Sequence, residues 1–171
     1  MNTLTELRSI TRRLFCLLTL SAVLISTPAA AWQVETLEGE RRDLLTELNE
    51  GRPSLVFIWS LSCVSCESQK PMLNAFYREH GKAGHINVIG LALDGPSQKS
   101  AIAERVASGQ LDFPNYVALD DVFHRQFEEV TGGKTFRATP TYLLFDAQGA
   151  FVGAHSAPLA PEALESLISE R

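Results

Sequence analysis

Cysteine is scarce in this sequence of 171 residues, which contains only three. No cysteine follows Cys66, and the four histidines are scattered without the spacing of metal ligands. A structural zinc site needs four Cys or His ligands, so the sequence does not support one. We expect neither a metal nor a cofactor in the functional site.

Long hydrophobic runs are missing as well. The strongly apolar stretch near the N-terminus, residues 14–25, is short for a membrane span of roughly 20 residues. Three arginines precede it and small residues follow it, which is the layout of a secretory signal peptide. We therefore predict a signal peptide over residues 1–31, cleaved after Ala31, and one domain over residues 32–171. Counting the apolar stretch through Trp32 leaves an uncleaved N-terminal membrane anchor as the alternative.

Positive charge is sparse in the predicted mature domain. The full chain has a net charge of −5 at pH 7. The predicted leader carries three arginines and one glutamate, so its removal leaves a net charge of about −7 and no basic cluster. Nucleic acid is therefore not an expected partner.

Cys63 and Cys66 form a Cys-Val-Ser-Cys motif between an apolar run, residues 55–59, and a helical pattern. A thiol at the first turn of a helix faces unpaired N–H groups and the positive end of the helix dipole, which lower its pKa. We predict that Cys63 is the nucleophile and that Cys66 resolves the mixed disulfide. A structural disulfide is the alternative, but so short a loop contributes only roughly 2 kcal/mol, against about 3 kcal/mol for a 15-residue loop.

Strand and helix patterns alternate along the mature chain. Residues 33–48 predict an edge strand and a short helix, and residues 55–59 predict a strand that is buried on both faces. Residues 64–80 predict a helix with a kink at Pro71 and a buried stripe of Met72, Leu73, Phe76 and Tyr77. The remaining predicted elements are a strand at 86–93, helices at 97–106 and 120–130, a strand at 115–119, a hairpin at 141–145 and 151–154, and a closing helix at 161–169.

Several segments of the mature chain match one known family. They are residues 51–59 leading into Cys63-x-x-Cys66, Pro71 five residues further, Val88-Ile89-Gly90-Leu91-Ala92-Leu93-Asp94, and Thr139-Pro140-Thr141. With these segments the chain resembles the thioredoxin-like superfamily, and most closely the exported thiol-disulfide oxidoreductases of the TlpA and ResA type. The resemblance runs from Val34 to the C-terminus and implies an α/β fold, with a central mixed sheet flanked by helices on both faces.

The resemblance also implies a substrate site and partners. By match, Pro140 is a cis-proline beside the dithiol, and the backbone of Thr139 pairs with an extended substrate segment. From the residues alone, the Thr139–Pro140 bond could be cis or trans. Trp59 is a candidate contact surface for substrate, or a core residue. The implied activity is reduction of disulfides in Cys-containing exported clients, such as apocytochrome c. The implied location is the periplasm or another exported location, and the implied electron source is a membrane thiol donor.

The sequence departs from the family at positions around the dithiol, including those whose carboxylates could accept a proton from Cys66. Ser62 and Ser65 replace the common Trp and Pro around the dithiol. Phe57 stands where thioredoxins keep a buried Asp, and Gln69 stands where many ResA-type members keep a Glu. The proton acceptor for Cys66 is therefore unassigned.

Two other functions are alternatives for a sequence of this kind. A thioredoxin-fold module that binds copper or a client without turnover would resemble this chain, but such modules use a wider Cys spacing and a partnering His. A peroxidase of the peroxiredoxin kind would need Pro and Thr ahead of its reactive Cys, where this chain has Leu61 and Ser62.

Overall fold

The computed structural model describes residues 31–48 and 50–169, which form seven strands and five α-helices. The strands are β1 (Gln33–Thr36), β2 (Arg41–Asp43), β3 (Ser54–Trp59), β4 (Asn87–Ala92), β5 (Asn115–Ala118), β6 (Thr141–Phe145) and β7 (Phe151–His155). The helices are α1 (Leu44–Leu48), α2 (Val64–Phe76), α3 (Lys99–Ala107), α4 (Phe123–Val130) and α5 (Pro161–Ser169). A π-helical turn (Tyr77–Gly81) follows α2, and a 3₁₀ turn (Pro96–Gln98) precedes α3.

The predicted signal peptide, residues 1–31, lies outside the described residues except for Ala31. Its cleavage, and the alternative of an N-terminal anchor, stay predictions. Within residues 31–48 and 50–169, no helix has both the length and the apolar character to cross a bilayer.

The strands form one mixed sheet in the order β2-β1-β5-β4-β3-β6-β7. β3 pairs in parallel with β4, and β4 pairs in parallel with β5, as expected for strands joined through helices. The pairs of β1 with β2 and β5, and of β6 with β3 and β7, are antiparallel. The sequence-based assignment of an edge strand to β1 is wrong, because the short hairpin after β1 places β2 at the edge.

Helices cover both faces of the sheet, which confirms the predicted layering. β3 is buried at all six positions, and alternate side chains point to opposite faces. Leu55, Phe57 and Trp59 pack in one cluster with residues of α2, α3 and α5. Val56 and Ile58 pack in a second cluster with residues of α1 and α4. This double burial explains why the run of residues 55–59 contains no polar side chain.

The buried face of α2 differs from the predicted stripe. Met72 and Tyr77 are only partly buried, whereas the polar residues Gln69, Lys70 and Asn74 are buried. Asn74 is held by the loop before β5, since its Nδ2 donates to the Gln110 carbonyl at 3.2 Å and its Oδ1 accepts from the Asp112 amide at 2.9 Å. Tertiary partners of this kind allow polar side chains to lie in a core-facing stripe.

Candidate redox site

Cys63 and Cys66 are joined by a disulfide at the start of α2, with their Cα atoms 5.2 Å apart. Cys63 is the N-cap of the helix, and its Sγ accepts a hydrogen bond from the Cys66 amide at 3.1 Å. The hydroxyl oxygen of Ser65 lies 3.6 Å from the same sulfur. Sγ of Cys63 therefore lies among donors that would stabilise a thiolate once the bond is reduced.

The two sulfurs differ in their access to solvent. Cys63 is 8% exposed, whereas Cys66 is fully buried. Between them Val64 is 84% exposed, so an apolar side chain projects from the surface at the motif itself. Of the two cysteines, only Cys63 has any exposed area, which is the order of access that the predicted roles of nucleophile and resolving thiol require.

The loop that carries the dithiol is anchored to the strand beside it. The amide of Leu61 donates to a carboxylate oxygen of Asp94 at 2.9 Å, and the amide of Leu93 donates to the Trp59 carbonyl at 2.9 Å. The Cys63 amide closes a turn on the Ser60 carbonyl at 3.2 Å. The carboxyl ends of β3 and β4 thus hold the loop from both sides.

The Thr139–Pro140 peptide bond is cis, as the resemblance implies. Pro140 is buried, Thr139 is partly exposed, and the next residue, Thr141, pairs with Ile58 of β3. The hydroxyl of Thr141 donates to the Ala138 carbonyl at 2.6 Å and fixes the turn before β6. Because β3 runs into the dithiol loop, this pairing brings the proline turn to the same end of the sheet as the cysteines.

Trp59 lies in the core and not at the surface. It is fully buried in the cluster that contains both cysteines, and its Nε1 donates to Oδ1 of Asn115 at 3.1 Å. Of the two alternatives that the sequence leaves open, this burial favours the core residue, because Trp59 offers no surface to a partner. The side chain instead supports the dithiol from within the domain.

The two positions without the expected carboxylates are filled by neutral groups. Phe57 is fully buried, with its ring centroid 5.4 Å from that of Tyr142. Oε1 of Gln69 accepts from the Tyr142 hydroxyl at 2.7 Å and from the Leu159 amide at 2.8 Å. Burial raises the pKa of Tyr142 well above its usual value, so this hydroxyl stays neutral at physiological pH. No carboxylate at either position can take a proton from Cys66.

Comparison with known proteins places the chain in a family. A model described as the AhpC/TSA family matches residues 25–152, well over half of the sequence. The chain belongs to the AhpC/TSA family. A search of curated proteins finds no match.

Three solved structures share the fold, and two of them are described as thiol-disulfide proteins. A thiol:disulfide interchange protein of the thioredoxin family from Chlorobium tepidum is 18% identical, with a TM-score of 0.65 over 84% of this chain and 94% of that one. A secreted Mycobacterium tuberculosis disulfide oxidoreductase, homologous to E. coli DsbE, is 17% identical, with a TM-score of 0.63 over 83% and 97%. StoA from Bacillus subtilis is 19% identical, with a TM-score of 0.61 over 82% and 96%. The thioredoxin-like fold predicted from the sequence is confirmed.

This AhpC/TSA family member carries a charged cluster between α2 and α3 that is not predicted from the sequence. Nζ of Lys70 lies 2.7 Å from Oε1 of Glu67, and Nη1 of Arg105 lies 2.7 Å from the same oxygen. Burial alone would raise the pKa of the Glu67 carboxyl, but the hydrogen bond and charge of Lys70, together with Arg105, lower it below its usual value. The spacing of Lys70, four residues after Cys66 in a predicted helix, was the available signal.

Proposed function

We propose that this protein is an exported thiol-disulfide oxidoreductase that reduces disulfides in Cys-containing client proteins. The observation that carries the proposal is the asymmetry of the dithiol, with Cys63 8% exposed at the helix N-terminus and Cys66 fully buried. A thiolate at Cys63 can attack a partner, while Cys66 is protected from all but an intramolecular reaction.

The proposed cycle begins from the reduced dithiol. The Cys63 thiolate attacks one sulfur of a client disulfide, the client S–S bond breaks, and the second client sulfur leaves with the electron pair and takes up a proton. Cys66, as a thiolate, then attacks Sγ of Cys63 and releases the first client sulfur. The products are a client dithiol and the Cys63–Cys66 disulfide, which is the state of the present structure. Two electrons and two protons from a membrane thiol donor restore the dithiol.

The turn at Thr139 and Pro140 is the proposed client-binding element. It lies at the same end of the sheet as the dithiol, and Thr139 is partly exposed. In the proposal, the backbone of Thr139 pairs with an extended client segment, as in peptide-binding sites where the bound peptide adds a strand to a sheet.

The three parts of the proposal, which are reduction, export and disulfide exchange, are supported by different observations. The resemblance to the TlpA and ResA type favours reduction. The predicted signal peptide favours export, and one protein of similar fold is described as secreted. Disulfide exchange is favoured over peroxide reduction because Leu61 and Ser62, and not Pro and Thr, precede Cys63.

Trapping of a mixed disulfide tests the exchange reaction. A Cys66→Ser variant should accumulate a covalent adduct with a disulfide-bonded model client through Cys63, because no second thiol can release it. A Cys63→Ser variant should form no adduct, and Cys16→Ser, which leaves both cysteines of the motif in place, should behave as the unaltered chain. Equal adduct formation by all three variants would refute the proposed roles.

The midpoint potential of the Cys63–Cys66 couple tests the direction. Thiol trapping after equilibration in thiol-disulfide buffers should give a value near that of thioredoxin, about −270 mV, for a reductase. A value near about −120 mV would indicate an oxidase and contradict the proposed direction.

A further inference from the structure

Lys70 is a buried cation one helical turn after Cys66. Its side chain is 4% exposed, and its Nζ lies 4.8 Å from the centroid of the Trp59 ring. Trp59 packs in the same core cluster as Cys63 and Cys66. Side chains four residues apart on a helix are neighbours, so the ammonium lies on the face of α2 that carries Cys66. Burying an ammonium is costly unless it is paired, and so its surroundings decide what it can do.

The charges around Lys70 do not cancel. Glu67 is the shared partner of Lys70 and Arg105, so two cations contact one carboxylate and the cluster carries a net charge of +1. Side-chain exposure is 41% for Glu67 and 35% for Arg105, so water screens both more than it screens Lys70. The least screened charge of the cluster is therefore positive.

Neighbouring elements contribute one charged group and several neutral groups around the dithiol loop. Asp94, after β4, adds a negative charge where it accepts from the Leu61 amide. Tyr142, on β6, is neutral, and Phe57 and Gln69 carry no charge. The carboxylate of Glu67 is already held by two cations, so it is a poor acceptor for a proton from Cys66.

We propose that Lys70 is a positioning residue whose charge stabilises the thiolate of Cys66 and raises the reduction potential of the Cys63–Cys66 couple. The inference rests on the proposed disulfide exchange. In the resolving step, Cys66 loses its proton to water and its thiolate attacks Sγ of Cys63. A Cys63–Cys66 bond forms as the Cys63–client bond breaks, and the client sulfur leaves with the electron pair and takes up a proton. A nearby cation thus increases the ionised fraction of Cys66 by stabilising its thiolate, whereas a carboxylate base would do so by accepting the proton.

The sign of the effect follows from the charges of the two redox states. The disulfide is neutral, whereas the reduced pair carries negative charge once one thiol ionises. A positive charge beside the pair therefore favours reduction, and its removal favours the disulfide. Removing the charge of Glu67 should have the opposite effect, because it leaves both cations unopposed.

Three substitutions in the full chain, each with Cys16→Ser so that two thiols titrate, test this inference. Lys70→Met should lower the equilibrium constant for reduction by glutathione about tenfold, which is about 30 mV toward more negative potential. Glu67→Gln should raise the constant. Lys70→Arg keeps the charge and should stay close to the unsubstituted protein. The readout is thiol trapping across glutathione buffers.

Opposite shifts from Lys70→Met and Glu67→Gln would not result from a general loss of packing. If both substitutions shift the constant in one direction, or neither does, while the unsubstituted protein cycles reversibly, Lys70 has only a structural role. If Lys70→Met does not fold, an unchanged constant in Glu67→Gln still overturns the inference. Failure of the unsubstituted protein to cycle would overturn both this inference and the proposed function.

Discussion

Gly90 of β4 lies opposite Asn115 of β5, and an added methyl group there would disturb the hydrogen bonds that hold Trp59. A Cβ at position 90 would overlap Oδ1 of Asn115 and lie 2.6 Å from its Cγ. Asn115 accepts from Nε1 of Trp59 at 3.1 Å and donates to the Phe113 carbonyl at 2.7 Å. In Gly90→Ala the amide group must move away, and we expect both hydrogen bonds to break.

The expected cost follows from the burial of these groups. Trp59 is fully buried and Asn115 is 7% exposed, so the groups that lose their hydrogen bonds cannot turn to solvent. A buried polar group without a partner costs about 1–3 kcal/mol, which for the Trp59 N–H and the Phe113 carbonyl makes about 2–6 kcal/mol in total. Asn115→Ala removes the same two hydrogen bonds without any overlap. Adding Gly90→Ala to it should then be close to neutral, with a gain of roughly 0.5 kcal/mol from the stiffer backbone.

Urea unfolding of the oxidised protein measures all four members of this double-mutant cycle. The midpoint should fall in Gly90→Ala while the slope with denaturant stays constant. The two substitutions should be strongly non-additive, because one acts through the side chain that the other removes. An equal cost of Gly90→Ala with and without Asn115 would refute the reasoning.

Two other predictions concern pH and fluorescence. Burial, then the charge and hydrogen bond of Glu47, raise the pKa of Tyr116 from 10.0 to about 12. Because the pKa of Tyr116 is higher in the folded state, its contribution to the free energy of unfolding is fully present below pH 10 and is lost as the pH rises toward 12. In urea unfolding, Tyr116→Phe should therefore lose less stability over that range than the unsubstituted protein. An equal loss would contradict this assignment. Reduction of the disulfide should change the tryptophan emission through Trp59, which shares its cluster, whereas Trp32 packs on the other face of the sheet. Trp59→Phe should abolish the change and Trp32→Phe should retain it, and the reverse result would contradict the packing.

The sequence predicted those parts of the fold that local pattern determines. The apolar run at residues 55–59 indicated a strand buried on both faces, and the alternation of strands with helices indicated parallel pairing. The position of β1 was not predictable in this way, because strand order depends on which non-local partner a strand finds. β1 is internal because it pairs with β2 on one side and, on the other, with β5, which lies more than 75 residues further along the chain.

At the site, the cysteines and the cis bond before Pro140 followed from motifs, whereas the surroundings did not. Trp59 was ambiguous because an indole suits both a core and a contact surface, and only the position of Asn115 decides between them. The burial of Lys70 is not predictable from the sequence, because a lysine in a helix is usually solvated. Its ammonium pairs with Glu67 one turn before it, and Glu67 also pairs with Arg105 from α3, a contact that arises only in the folded chain.

The hydrogen bond from the Leu61 amide to Asp94 joins residues that are 33 positions apart. The loop before the dithiol is therefore completed by the strand that follows α2, and not by its own sequence. A chain that has formed only β3 and the start of α2 already contains both thiols but lacks this anchor. The redox loop therefore has its final geometry only when β3 is paired with β4, so the chemistry of the cysteines depends on the assembled centre of the sheet.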